Sequence, residues 1–192
     1  MKLYLILIAI FNAIIDLLVI FLLKPAYEWY VIVGITAGDT LIVFIIDLLL
    51  AIIVNKFPEK WFEPKKKIFK IFNWEKSFYE HIGVKHFKDH VPELGKFKGF
   101  EKNTIQDPNN PEYIHKYMVE CCYGEVVHIL GIIIGFVTIF CCPFDLWLFI
   151  SLPVSVINAF MCALPHFTLR YNRKKLEKLY EALEKRNKRK KA

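Results

Sequence analysis

The sequence predicts an all-α, polytopic membrane protein: four transmembrane helices, a cytoplasmic amphipathic insertion and a basic C-terminal helix. Three observations carry this reading. Hydrophobic residues fill 55% of the 192 positions and the mean hydropathy is +0.34, too apolar for a water-soluble domain of this size. Four apolar segments approach or exceed the ~20 residues that a bilayer core demands. Lysine and arginine lie almost wholly outside those segments, where they flank spans rather than interrupt them.

The spans are expected at about 3–23, 29–54, 118–142 and 144–169, all within a single membrane domain of residues 1–192. The first is longer than the ~7–15 residues of a signal-peptide core and carries Asn12 and Asp16, so it is expected to stay as an anchor. Thirteen lysines lie in residues 55–117, eleven Lys and Arg follow from Arg170, and Lys2 and Lys24 complete the total of 26. Four spans put the N-terminus, the insertion and the tail on one side, which the positive-inside rule makes the cytoplasm and leaves Lys24 facing out. The net charge of +7 is thus assigned to topology and to an anionic phospholipid surface as partner, and no nucleic-acid partner is expected.

The insertion, 55–117, carries prolines at 58, 64, 92, 108 and 111 among lysines and aromatics. From Pro64 to His81 a helical spacing puts Ile68, Ile71, Phe72, Phe78 and Tyr79 near one face with lysines opposite. That pattern suits a helix in the headgroup layer or one packed on the span ends. Residues 91–95 and 106–111 read as turns. The tail, 170–192, begins as a second amphipathic helix and ends in a lysine-rich stretch expected to fray. Cys121, Cys122, Cys141, Cys142 and Cys162 lie in or beside apolar segments without CxxC spacing, and read as small apolar residues.

Candidate chemistry begins where the third span does. In Tyr117-Met-Val-Glu-Cys-Cys-Tyr-Gly-Glu-Val-Val-His-Ile129, three ionisable groups fall within nine residues of an apolar segment. A charge at a span centre costs roughly 2.5–3.5 kcal/mol, so a working site is the default reading. On a helix Glu120, His128 and Glu125 fall at about 0°, 80° and 140°, with the imidazole between the carboxylates. Glu125 and His128, three apart, can touch. At the end of the fourth span, Arg170-Tyr-Asn-Arg173 supplies two guanidinium groups three apart, able to fork onto a carboxylate or phosphate. The third span enters near Glu120 and the fourth leaves near Arg170, so these acidic and basic groups are expected at similar depth, as a structural clasp or a site for an anionic substrate group.

These runs carry a family resemblance. The glycosyl-4,4'-diaponeurosporenoate acyltransferases, small bacterial membrane proteins of staphyloxanthin-type carotenoid assembly, have Glu-Thr-x-x-Ala-Glu-x-x-His-Trp, a hydrophobic hairpin, then Gln-Arg-Tyr-Asn-Arg-Pro-Arg. This chain resembles them with Glu120-Cys-Cys-Tyr-Gly-Glu125-Val-Val-His128-Ile, a hairpin, and Leu169-Arg-Tyr-Asn-Arg-Lys-Lys175. Upstream, Ile68-Phe-Lys-Ile-Phe-Asn-Trp-Glu-Lys76 and 84–92 are also similar, so the likeness runs over roughly 60–180. Thr, Ala and Trp are replaced by Cys121, Gly124 and Ile129, while the charged positions remain. The resemblance implies a bacterial cytoplasmic-membrane enzyme that moves a fatty acyl group to a sugar hydroxyl of a glycolipid. Its partners are then a membrane lipid acceptor and an acyl donor such as acyl-CoA or acyl-carrier protein, a co-substrate rather than a cofactor. His128 is expected as base, with Glu125 orienting it, and Glu120, roughly 12 Å along the helix axis from His128, is expected in a neighbouring shell as a partner for arginine. Arg170, Tyr171, Asn172 and Arg173 are expected to bind substrate or steady negative charge.

Other readings are a non-catalytic polar lock formed by the same Glu, His and Arg residues, and a small ion- or proton-coupled transporter using Asp16, Asp39 and Asp47. Glu-x-x-His is half of a di-iron helix motif, but the second copy and two further carboxylates are missing from the sequence pattern, and His86-x-x-x-His90 has no second box, so no metal is expected. Oligomeric state is not set by the sequence.

Overall fold

The computed structural model describes residues 2–23, 27–91 and 105–191. Helix α1 (Lys2–Leu18) runs into a π-helical turn (Val19–Leu23), and α2 spans Trp29–Val54. Two 3-10 turns (Glu59–Trp61 and Lys67–Phe69) lead to α3 (Asn73–His81), α4 (Val84–Phe87) and a further 3-10 turn (Lys88–His90). Helix α5 (Pro111–Ile134) tightens into 3-10 geometry over Gly135–Cys141, and α6 covers Ser151–Lys191. No strand occurs among the described residues, as the all-helical class requires. Four stretches are long and apolar enough to cross a membrane: Lys2–Leu22, Trp29–Val54, Pro111–Cys141 and Ser151–Arg189.

Three boundaries differ from expectation. The fourth span starts at Ser151 rather than 144, because residues after Pro143 form turns closed by Pro143 carbonyl bonds to the Leu146 and Trp147 N–H groups. It does not stop at 169 but continues to Lys191 through an internal Pro165, so the basic end is helical. The insertion's helix begins at Asn73 instead of Pro64, and the anticipated apolar face is divided: Ile71 and Tyr79 are buried whereas Ile68, Phe72 and Phe78 are exposed. Lys24 and most of the turn at 91–95 lie outside the described residues.

The chain forms two compact units, one of residues 1–54 and 127–163, the other of 55–126 and 164–192. In the first, polar pairs fix helix direction. Asn12 donates to Thr40 at 2.9 Å and Thr36 to Asp16 at 2.6 Å, so α1 and α2 are antiparallel. Asp39 accepts from Ser151, and Asp47 from the Cys162 thiol at 3.6 Å; numbers rising together make α2 and α6 parallel. Asn158 donates to the Gly131 carbonyl at 3.3 Å and Thr138 meets Ser155 at 3.0 Å, which sets α5 and α6 antiparallel. The result is an up-down-up-down bundle with a core of Ile15, Val19, Ile32, Val43, Leu146, Ile150 and Val154. At one end of this bundle the Tyr27 hydroxyl donates to Asp145 at 3.3 Å. Outward-facing Leu3, Leu5, Ile6, Ile10, Leu41, Phe44, Leu48 and Ile133 present an apolar surface suited to lipid.

The second unit is built on the start of α5 and the polar half of α6. Asn110 caps α5, accepting from the Glu112 and Tyr113 N–H groups at 3.0 and 3.3 Å, with Pro111 at the first helical position where its missing N–H costs nothing. Ile114, Met118 and Cys121 on α5 meet Leu176 and Leu183 on α6, each set spaced at helical intervals along one stripe. Gly83, at φ +76°, ends α3 in the left-handed region and turns the chain into α4. Tyr79, Val84 and Tyr171 form a smaller core there.

Candidate functional site

Helix α3 exists largely to deliver one carboxylate. Glu75 Oε1 accepts the Phe72 N–H at 2.8 Å, satisfying an orphan donor of the first turn, and Oε2 accepts the Tyr79 hydroxyl one turn on at 2.7 Å. The same carboxylate receives both Nε and Nη2 of Arg170 at 2.8 Å, a bidentate fork. Burial alone would raise the Glu75 carboxyl, but the hydrogen bonds from Arg170, Phe72 and Tyr79 and the guanidinium charge outweigh it and hold the group at about 2. Glu75 is therefore ionised. Burial and the neighbouring Glu75 charge push the Tyr79 hydroxyl up, so it stays a donor.

Helix α5 contributes Glu125, and α6 turns Arg170 and Arg173 toward it. Arg173 Nε reaches Glu125 Oε1 at 2.6 Å; Arg170 Nη1 and Arg173 Nη2 reach Oε2 at 3.1 and 3.2 Å. Arg173 is fully buried and also donates to Glu177 at 3.0 Å and to the Phe69 carbonyl, while Arg170 donates to the Lys70 carbonyl at 2.9 Å. Among the described residues each guanidinium thus uses four of its five N–H groups, leaving one on each Nη1. Close helix approach makes this possible: a Cβ on Gly124 would lie 2.6 Å from Leu169 Cδ1. Two buried carboxylates balance two guanidinium charges, which keeps ions in this interior affordable.

Among the residues anticipated from sequence, Glu125, Arg170 and Arg173 are brought together, with three guanidinium nitrogens on the two Glu125 carboxylate oxygens. Tyr171 is buried on the other flank of α6 beside Tyr79 and Val84, with the Lys175 ammonium 4.4 Å over its ring. Asn172 and Glu120 are half-buried in the same unit. His128, also half-buried, lies three residues beyond Glu125 on α5 and belongs to the bundle unit. Sequence reasoning missed Glu75, Tyr79, Glu177 and His166. The signal for Glu75 was its being the lone carboxylate between Pro64 and Tyr79, inside a segment already similar to the family. His166 stands one turn before Arg170, and its Nδ1 is buried with no hydrogen-bond partner among the described residues.

The three span aspartates sit in the other unit. Their partners are Thr36, Ser151 and Cys162 rather than cations, and Asp47 Oδ1 is buried without a hydrogen-bond partner among the described residues.

Compared with known families, residues 58–182 match the family described as Glycosyl-4,4'-diaponeurosporenoate acyltransferase (CrtO). The matched stretch holds Glu75, Glu125, Arg170 and Arg173, and α1 and α2 lie before it. No curated protein and no solved structure matches the chain.

Proposed function

Because the chain belongs to the glycosyl-4,4'-diaponeurosporenoate acyltransferase family, we propose that it moves a fatty acyl group from a thioester donor to a hydroxyl of a glycosylated membrane lipid. The observation that carries this reading is the family match over 58–182, which takes in every charged member of the buried Glu75–Arg170–Glu125–Arg173 network. In the proposed step the acceptor oxygen attacks the thioester carbonyl carbon as His128 takes the hydroxyl proton. The carbon–sulfur bond then breaks, and the leaving sulfur receives that proton. Glu125, clamped by two arginines, steadies the stretch of α5 that carries His128 three residues on, and Glu120 lies one further turn back. The remaining Nη1 hydrogen of Arg170, whose side chain is 12% exposed, is the donor proposed for a phosphate or a carbonyl oxygen, with buried Arg173 holding Glu125 behind it and Tyr171 and Asn172 next in sequence. A buried imidazole nitrogen without a partner favours His166 as a second candidate proton acceptor.

Family membership favours a bacterial cytoplasmic-membrane location, and the lysine distribution supports both termini in the cytoplasm, so that a soluble acyl-CoA or acyl-carrier protein meets a lipid acceptor at the inner leaflet. Lipid extracts of cells with and without the protein should differ by an acylated glycolipid. H128A is expected to lose that product by about 10²- to 10⁴-fold at unchanged protein level. Full product from H128A assigns the base elsewhere, and H166Q then tests His166 in the same assay.

The near-complete engagement of both guanidinium groups favours a second role for the arginines, as a lock that holds α3, α5 and α6 of this unit in register. The two roles are compatible.

A further inference from the structure

We infer that the 55–82 segment is a docking face for an anionic lipid surface, entering the headgroup layer through Phe57, Trp61, Ile68, Phe72, Trp74 and Phe78. This goes beyond acyl transfer and stands on the surface of the second unit alone. All six side chains are exposed, Ile68 by 76% and Trp74 by 64%. Trp61 and Ile68 lie in 3-10 turns, Trp74 and Phe78 in the nine-residue α3, and Phe57 and Phe72 just before such elements, none long enough to cross a bilayer, so the segment can lie on a membrane but not span it.

The apolar side chains are ordered before any partner arrives. Phe57 stacks on Trp61 with centroids 5.1 Å apart, Trp74 lies between Phe72 at 6.5 Å and Phe78 at 6.1 Å, and Phe78 is edge-on to Phe167 at 6.0 Å. Pre-ordered rings lose little rotamer freedom on insertion, and an aromatic with one polar edge suits the boundary between headgroups and chains.

Charge selects the occupant. Lys56, Lys60, Lys65, Lys66, Lys67, Lys70 and Lys76 are all exposed among these rings. Of the carboxylates in the segment, Glu59 is exposed, Glu63 bonds His115 at 3.1 Å, Glu75 is buried against Arg170, and Glu80 pairs with Lys76 at 3.8 Å and Lys85 at 3.3 Å, so the other six lysines carry the positive face. The Lys70 ammonium lies 5.5 Å over the Phe72 ring, so cation and apolar surface are presented together. A purely apolar protein groove would leave the lysines unmatched, and a nucleic acid would leave Ile68 and Phe57 unmatched. Anionic headgroups over acyl chains match both.

The test uses the full chain in vesicles of phosphatidylcholine with or without phosphatidylglycerol. Four tryptophans are present, and the difference in emission between wild type and W61F/W74F isolates the two on this face without altering the spans. The expected result is strong quenching by a lipid carrying a nitroxide just below the headgroup, weak quenching by aqueous acrylamide, and a larger lipid effect with phosphatidylglycerol. Replacing Lys65, Lys66, Lys67 and Lys70 with Gln should remove the phosphatidylglycerol increment, since each lysine at an anionic surface is worth about fivefold in partition. High salt should do likewise. Free access of acrylamide to Trp61 and Trp74 overturns the proposal, as does shielding from both quenchers, which would mean a protein cover. Indifference to phosphatidylglycerol overturns the anionic assignment.

Discussion

Arg173 is the side chain whose removal leaves most behind it. Its four hydrogen bonds hold Glu125, Glu177 and the Phe69 carbonyl, and a cut guanidinium strands Glu125 partly unpaired in a dry interior. R173M is expected to destabilise the detergent-solubilised protein to thermal unfolding by about 3–5 kcal/mol, and E125L added to R173M should recover part of that loss. An unchanged unfolding transition for R173M would mean the network carries no load. Glu75 gives a pH signature. Its folded value near 2 lies below its ordinary 4.5, so the stability it supplies is present above pH 4.5 and is lost as the pH falls toward 2. Wild type should therefore lose about 3 kcal/mol more than E75Q across that window in acid unfolding; parallel curves for the two proteins contradict the assignment. That the acidic run of α5 meets the arginines was legible in the sequence, because two apolar segments joined as a hairpin return the chain to the same depth. Depth alone pointed to Glu120, whereas Glu125 holds both guanidinium groups. Glu75 was not legible, because Arg170 lies 95 positions away and nothing local ties an isolated carboxylate in a lysine run to it.

At the scale of elements, two glycines make contrasting tests of helix packing. A Cβ on Gly131 would fall 2.8 Å from Asp47 Oδ1 and 3.1 Å from Cys162 Sγ, short side chains with little room to retreat. A Cβ on Gly124 meets only the far end of Leu169, which can change rotamer. G131A should lower stability by about 1–3 kcal/mol while G124A stays close to wild type, measured by thermal unfolding of the two variants side by side. The helices themselves were readable from apolar length and period, and their ends were not. Residues 144–149 are mostly apolar, so hydropathy ran straight through a turn that Pro143 and Asp145 alone announced. In the insertion, helical spacing was counted from Pro64 across a stretch that folds as 3-10 turns, and the phase was lost before Asn73. That is why Phe72 and Phe78 face out while Ile71 and Tyr79 are buried, where one shared apolar face was expected.

For the whole molecule, the bundle's polar pairs place Cys141 at the end where Tyr27 meets Asp145, and the proposed topology, with the lysine-rich segments in the cytoplasm, predicts that this end faces outward. Cys141 is exposed, so a membrane-impermeant thiol reagent should label it in intact cells, whereas K65C in a C141S background should react only after permeabilisation. The reverse pattern inverts the topology and moves the lysine-rich segment away from the cytoplasmic acyl donors. Acyl transfer itself can be reconstituted. Purified protein in vesicles, supplied with a labelled acyl thioester and a glycosylated lipid, should release free thiol and form a labelled ester on the sugar in equal amounts. No ester and no thiol release across short and long acyl donors and several glycolipid acceptors, from protein that remains folded, would contradict it.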